Sequence, residues 1–328
     1  MTKQPVQYII FFFIAGPLFF LLRRSIHLGG ITKSAAKTDL AKLRKKTGFT
    51  FLNCKKALKE FNNDIVKAEE WLHKQAEKEG WSKATSLQGR ETAQGLVAVL
   101  CQDNYATMVE VNCETDFVAR NSQFQQFVGK VASMALKQHR SENSVINDVG
   151  KVELMGDKLD GLKSEQDDGS SVKDITALTI GKIGENITVK RAVCMHVPVG
   201  HILGSYVHSM AKTSILKTND CSLGKYGALV AAHSIKKSSA KMQPDEFGRR
   251  LCQHIVGMKP VRIGEFVPPV QKESEEQEDG EEIEEQIVTD LVNQEYLIDP
   301  SLTVGELLYQ EGIQVIDFVR YECGQKLH

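Results

Sequence analysis

At Gly95 the apolar residues change period, and no other feature narrows the fold as much. GLVAVLCQ (95–102) and YATMVEVN (105–112) flank a short turn at Asp103-Asn104. That is a hairpin signal, because alternate residues of a strand share a face. TDFVARNSQFQQFVGKVASMALKQH (115–139) follows with apolar residues at helical spacing, and Thr115 or Asp116 can cap it. A similar order recurs: HILGSYVHS and KYGALVAAHS read as strands, and DEFGRRLCQHIVGM as a helix with Phe247, Leu251, Ile255 and Met258 on one face. Hairpin-then-helix therefore occurs at 95–139 and again at 187–258, a weak internal repeat. Segregated antiparallel strands and helices imply an α+β fold.

The segments on either side have different textures. Residues 39–77 predict a compact module of three short helices. Leu40 and Leu43 share a face before Gly48; Phe51, Leu52, Ala57, Leu58 and Phe61 form a second stripe; Ile65, Ala68, Leu72 and Ala76 form a third. So small a core is marginal alone, which suits a docking module. KEGWSKATSLQGRETAQ (78–94) is polar, shows little periodicity and reads as a linker. A core then divides into 95–172 and 173–328. Residues 140–172 suit a short helix or a mobile loop, and TALTIGKIGENITVKRAVCMHV resumes alternation. KESEEQEDGEEIEEQ (272–286) is too acidic and polar to bury itself and reads as a solvated loop. Thr303-Val-Gly-Glu306 is a capping box, and GIQVIDFVRYECG a final strand.

Covalent chemistry finds no footing. There is no GxxxxGK[ST], GxSxG or HExxH, and GKIGEN (181–186) lacks the Lys-Ser/Thr ending of a phosphate loop. The seven Cys form no CxxC and read as buried thiols in a reducing compartment; no zinc spacing appears, so no metal and no cofactor are expected. The net charge of −1 supplies no global field toward nucleic acid or anionic membrane. What remains is binding.

The N-terminus stands apart. YIIFFFIAGPLFFLL (8–22) is shorter than the about 20 residues that span a bilayer. It fits a secretory h-region in length, while the absence of acids before Asp39 also suits an organelle transit peptide. Residues 1–38 are expected to be a targeting leader.

By pattern alone Phe117 is core, sharing a face with Phe124 and Val128, while Asp116 is a helix cap and Ile183 and His208 are strand residues. Five fragments, however, resemble the elongation factor Ts family in its mitochondrial form, and in the family's order. They are LRKKTGFTFLNCKKAL (43–58), VEVNCETDFVARN (109–121), KIGENI (182–187), LGSYVH (203–208), and the closing LTVGELL with DFVRYECG. The resemblance covers roughly 39–324. It departs at GFTFLNC, where the family has GAGMMDC, and no coiled-coil insertion is recognisable; the acidic run stands roughly in its place.

The resemblance implies a guanine-nucleotide exchange factor for elongation factor Tu in mitochondrial translation, with no nucleotide of its own. It implies a ubiquitin-associated-like docking module and a core of two subdomains. Asp116 and Phe117 are then expected to enter the GTPase near its magnesium site, and Ile183, Gly184 and His208 to contact the same partner. In the first signature Leu43, Thr47, Cys54 and Lys55 are expected contacts. A 1:1 heterodimer follows, without direct nucleic acid or stable membrane association of the mature chain, in the mitochondrial matrix; a secretory or anchored destination is the alternative from the leader. The rival readings are a ubiquitin- or peptide-binding adaptor working through 39–77, an RNA-binding ribosome-associated protein using Lys45, Lys46, Lys55 and Lys56, and a thiol enzyme.

Overall fold

The computed structural model describes residues 28–47, 49, 51–164, 169–208, 216–218, 221–235, 242–267 and 289–326. The apolar run at 8–22 and the acidic run at 272–286 lie outside them. Contacts divide the chain into two units, Met1–Ala76 and Glu77–His328.

In the first unit, α1 (Leu28–Thr47) starts well before Asp39, so residues 28–38, expected in the leader, are helical. It is followed by α2 (Phe51–Glu60) and the first turns of α3 (Ile65–Leu87). Asn62 and Asn63 turn the chain at positive φ. Asp64 then caps α3, its Oδ1 accepting from the Val66 and Lys67 N–H groups at 3.1 Å each. Leu43, Cys54, Ala57, Leu58, Ala68 and Leu72 pack inward. Phe51 and Leu52 do not: they are 54% and 73% exposed, in the first turn of α2 and beyond its buried stripe. The expectation that they join the module's core is overturned.

The second unit begins inside α3. Residues 78–87, expected as linker, are helical because Trp81, Ala84 and Leu87 fall at helical spacing, and Ala84 and Leu87 join a hydrophobic core. Three antiparallel sheets follow, one of them only a two-stranded ribbon of β9 (Glu295–Tyr296) and β10 (Asp299–Thr303). Of the other two, the larger has the order β3-β4-β2-β1-β7-β6, with β1 Gln94–Gln102, β2 Tyr105–Cys113, β3 Gly150–Leu154, β4 Ile187–His196, β6 Leu216–Thr218 and β7 Cys221–Gly224. The smaller has the order β11-β8-β5, with β5 His201–His208, β8 Tyr226–Ser234 and β11 Ile313–Glu322. The mixed architecture is α+β.

Alternation assigns each strand face its partner. Leu96, Ala98, Val109 and Val111 face α5 (Ser122–Glu142) and α7 (Val172–Ile183). Val97, Val99, Met108, Val193, Leu229 and Ala231 meet between the sheets. Ala228, Val230 and Ala232 face α8 (Pro244–Met258) and α9 (Val304–Glu311). The layers run helices, sheet, sheet, helices. Gly204 on β5 and Gly248 on α8 allow the last of these contacts, since a Cβ on Gly204 would lie 2.5 Å from the Gly248 Cα.

Several expectations change here. TALTIGKI is helix, not strand: Ser171 and Asp174 form a capping box that opens α7, and Gly184 closes it at φ 88°. Residues 140–172 hold β3 and the one-turn α6 (Asp157–Asp160). A boundary at 172/173 would cut the larger sheet, because β4 and β7 pair back onto β2 and β1. For the same reason the second copy of the repeat cannot begin at 187, where the strand belongs to the first sheet. The capping box at Thr303 and Glu306 forms and starts α9 as the sequence indicates.

Candidate functional site

The sequence from Thr115 to His139 reads as one helix but folds as two. α4 (Asp116–Ala119) is a single turn capped by the Thr115 hydroxyl, which accepts from the Val118 N–H at 3.4 Å. The chain then breaks at Asn121, whose extended backbone and side chain cap α5 by accepting from the Gln123 N–H at 2.8 Å. On an unbroken helix Phe117 would share a face with Phe124. The break separates them: Phe124 is fully buried and Phe117 is 80% exposed. The pattern reading of Phe117 as core is therefore corrected. Asp116 faces outward too, paired with Arg120 at 3.0 Å in an exposed ion pair of little energetic weight.

A second loop lies against this turn. Ile183 ends α7 half-buried on the core, and Gly184 is exposed in the left-handed region, with nothing within 4 Å of where a Cβ would stand. Glu185 accepts from the Thr115 N–H at 3.1 Å and from its hydroxyl at 2.9 Å. The structure thus brings Asp116, Phe117, Ile183 and Gly184 to one end of the larger sheet.

His208 ends β5 on the smaller sheet, exposed, with its Nδ1 3.2 Å from the Tyr206 hydroxyl and its ring 6.2 Å from that of Tyr226. It borders a cleft of about 500 Å³ whose walls include Tyr206, Tyr226, Val256, Lys259 and Leu297. Among the described residues no hydrogen bond joins His208 to the Phe117 turn; the bonds from its end of β5 lead to the start of β1. The Lys225 N–H donates to the His208 carbonyl at 3.0 Å, and Lys225 Nζ donates to the Gly95 carbonyl at 2.9 Å, at the start of β1.

The first-signature residues divide differently. Leu43 and Cys54 are fully buried and Thr47 is 9% exposed, its hydroxyl turned to the Leu43 carbonyl at 2.7 Å. In the chain alone these three side chains pack the helices of the module against one another. Lys55 is exposed. Phe51 and Leu52 are the apolar surface that pattern reasoning missed; only a count of how much α2 can bury would have flagged them.

The seven thiols are not all buried as expected: Cys101 is exposed and Cys323 half-buried. Burial pushes Cys113 up to about 12 and Cys194 to about 11, which keeps both protonated. Among the described residues no group of three metal-ligating side chains converges, and no helix is long and apolar enough to cross a membrane.

A polar pair at the other end of β2 is structural. His196 Nδ1 and His139 Nε2 lie 2.9 Å apart with stacked rings beside Tyr105. Burial, helped by the neighbouring His196, lowers His139 from its ordinary 6.5 to about 4, and burial lowers His196 as well. Between those values the unfolded chain binds more protons, so stability rises with pH. Full stability is expected above pH 6.5, with a loss of about 1–3 kcal/mol as pH falls toward 4, allowing for partial screening by water. Urea titrations across that range check this. His139→Gln should flatten the slope; an unchanged slope would assign the acid sensitivity to carboxylates instead.

Comparison with known proteins adds to this geometry. A family model described as "Elongation factor Ts, mitochondrial, N-terminal" matches residues 23–82, and one described as "Elongation factor TS" matches residues 114–325. Among similar curated proteins, "Elongation factor Ts, mitochondrial" of Branchiostoma floridae is 46% identical over 316 residues, covering 93% of this chain and 94% of that one. The protein of the same name from Xenopus laevis is 46% identical over 300 residues, at 92% and 90% coverage. That from Homo sapiens is 44% identical over 292 residues, at 89% and 84%.

Proposed function

The chain belongs to the elongation factor Ts family, and from that membership we propose that it is a guanine-nucleotide exchange factor acting on elongation factor Tu in mitochondrial translation elongation. The observation that carries this reading is Phe117, a large apolar side chain 80% exposed on a tightly bonded turn inside the TDFVA motif. Exposed aromatic groups held in a fixed direction suit insertion into a partner.

An exchange factor must bind the GTPase more tightly when its nucleotide is absent. By reciprocity each ligand then weakens the other by the same factor. Phe117 supplies such coupling as a wedge, gaining burial only where partner elements part, near the magnesium site. Asp116 brings a carboxylate into the same region, where it competes for the metal's surroundings. Gly184, with no side chain and an exposed backbone, allows the Ile183-Gly184 segment to approach the phosphate-binding loop closely. His208 contacts the partner from the cleft on the smaller sheet.

The three helices of the first unit act as a docking module of ubiquitin-associated type, with Phe51, Leu52 and Lys55 as its outward side chains. One chain engages one GTPase in the mitochondrial matrix, without a nucleotide of its own and without nucleic acid. The RNA-binding alternative loses ground because Lys46 is paired with Glu69 at 2.6 Å and Lys56 sits 5.6 Å over the Trp71 ring.

Stopped-flow release of a fluorescent GDP analogue from mitochondrial elongation factor Tu tests the proposal. The chain is expected to accelerate release at least about 100-fold, saturably, which lowers the barrier by about 2.7 kcal/mol. No acceleration by a folded chain would overturn the exchange reading and favour an adaptor working through α1–α3.

A further inference from the structure

Phe117 points outward because its turn is clasped to the neighbouring loop, and the clasp is reciprocal. Glu185 accepts from the Thr115 N–H and hydroxyl, at 3.1 and 2.9 Å. Glu114, beside Thr115, accepts from the Asn186 N–H at 2.7 Å. Each loop therefore lends the other a carboxylate. Asn186 Nδ2 also donates to the Arg90 carbonyl at 3.0 Å, and Arg90 Nη1 reaches Glu114 at 3.5 Å, which ties in the segment before β1.

The hydroxyl of Thr115 has one proton and two lone pairs. Glu185 takes the proton in a charge-assisted bond, so the lone pairs are left facing the first turn of α4, where the Val118 N–H donates to one. Without Glu185 the hydroxyl rotates freely and the cap weakens. The turn is a single helical turn with little stability of its own, so the direction of Phe117 depends on that cap.

We infer that Glu185 is a positioning residue for nucleotide exchange: it orients the Thr115 cap and so fixes the direction in which Phe117 leaves the surface. The inference rests on the exchange-factor reading. Its physical content is pre-organisation. A wedge already pointing the right way does not have to be ordered in the step that opens the nucleotide site of the bound partner, and Glu185 gives this through bonds to its own chain.

The stimulated GDP-release assay on the full chain, with a double-mutant cycle, tests it. Glu185→Ala is expected to lower the maximal stimulated rate about 10-fold, or about 1.4 kcal/mol, with little change in the half-saturating chain concentration. Combined with Phe117→Ala, it should cost nothing further, because a residue that acts only by aiming Phe117 has nothing left to aim. Thr115→Val removes the same bond from the other side and should match Glu185→Ala. Thr115→Ser keeps the hydroxyl and should restore the rate, an outcome a merely space-filling role would not produce. Multiplying losses in the Glu185→Ala/Phe117→Ala chain would overturn the inference by making Glu185 an independent contact. An unchanged maximal rate in both Glu185→Ala and Thr115→Val would overturn it directly while leaving the exchange reading intact. A wild-type chain that does not stimulate release would remove both.

Discussion

Phe117→Ala is expected to cut stimulated GDP release about 10- to 100-fold, the rate equivalent of the roughly 1.5–3 kcal/mol gained by burying a Phe side chain. Its melting temperature should stay within about 2 °C of wild type, because a side chain 80% exposed has almost no packing to lose. Phe124→Ala is the control. It stands seven residues on, is fully buried, and should cost about 3–5 kcal/mol of stability. The pair separates two uses of one residue type seven residues apart. If Phe117→Ala exchanged normally, the exposed ring would be incidental and contact would fall to the Ile183-Gly184 loop. If it instead lowered stability like Phe124→Ala, the turn would pack more tightly in solution than its exposure indicates.

What the sequence made legible was what local chemistry decides. The capping box at Thr303 and the hairpin across Asp103-Asn104 each follow from a few neighbouring residues, and each forms; of the α8 stripe Phe247, Leu251 and Ile255 are buried, while Met258 in the last turn is exposed. Less legible was anything set by what covers a face. Phe51 and Leu52 look like core because they are apolar and correctly spaced, yet among the described residues nothing covers the first turn of α2. The polar face of β2, carrying Glu110 and Asn112, looks like a solvent face, yet the smaller sheet lies over it and both are buried. The near-continuous apolar run of GLVAVL was the signal for a strand covered on both sides. The helical stretch 78–87 was hidden by its polar residues, although Gly80, Ala84 and Leu87 mark its inner face. At the site, the motif resemblance identified Asp116 and Phe117, but the turn that holds them is bonded through Glu114 and Thr115 to Glu185 and Asn186, which are distant in sequence and have no periodicity to betray them.

Glu110 is expected to matter to stability as much as Phe124 does, for a different physical reason. Its side chain is fully buried between the sheets, opposite Arg191 on β4, with Oε2 2.7 Å from the Arg191 Nε. Oε1 accepts from the Gly324 N–H at 2.8 Å and from Asn112 Nδ2 at 3.2 Å, which pins the end of β11 to the larger sheet. The Arg191 guanidinium lies 3.9 Å over the Tyr321 ring, and that ring keeps it from water. Glu110→Ala leaves this cation without its carboxylate, takes the same carboxylate from Lys190, whose Nζ lies 3.5 Å from Oε1, and strips the Gly324 N–H of its acceptor, while Asn112 Nδ2 keeps the Gln94 carbonyl at 3.3 Å. The expected loss is about 3–5 kcal/mol, a fall in melting temperature of roughly 6–20 °C for a unit of this size. The cost belongs to the stranded charge more than to the lost attraction, and a second variant shows which. Glu110→Leu combined with Arg191→Met removes both charges and refills the space with apolar atoms. It should recover more than half of the loss, falling short of wild type by the about 1–3 kcal/mol of an unpaired Gly324 donor. A double variant no more stable than Glu110→Ala would mean that the bonds to Gly324 and Asn112, not the Arg191 charge, hold the two sheets in register. A Glu110→Ala loss below about 1 kcal/mol would mean that water reaches the pair, as it does in exposed ion pairs.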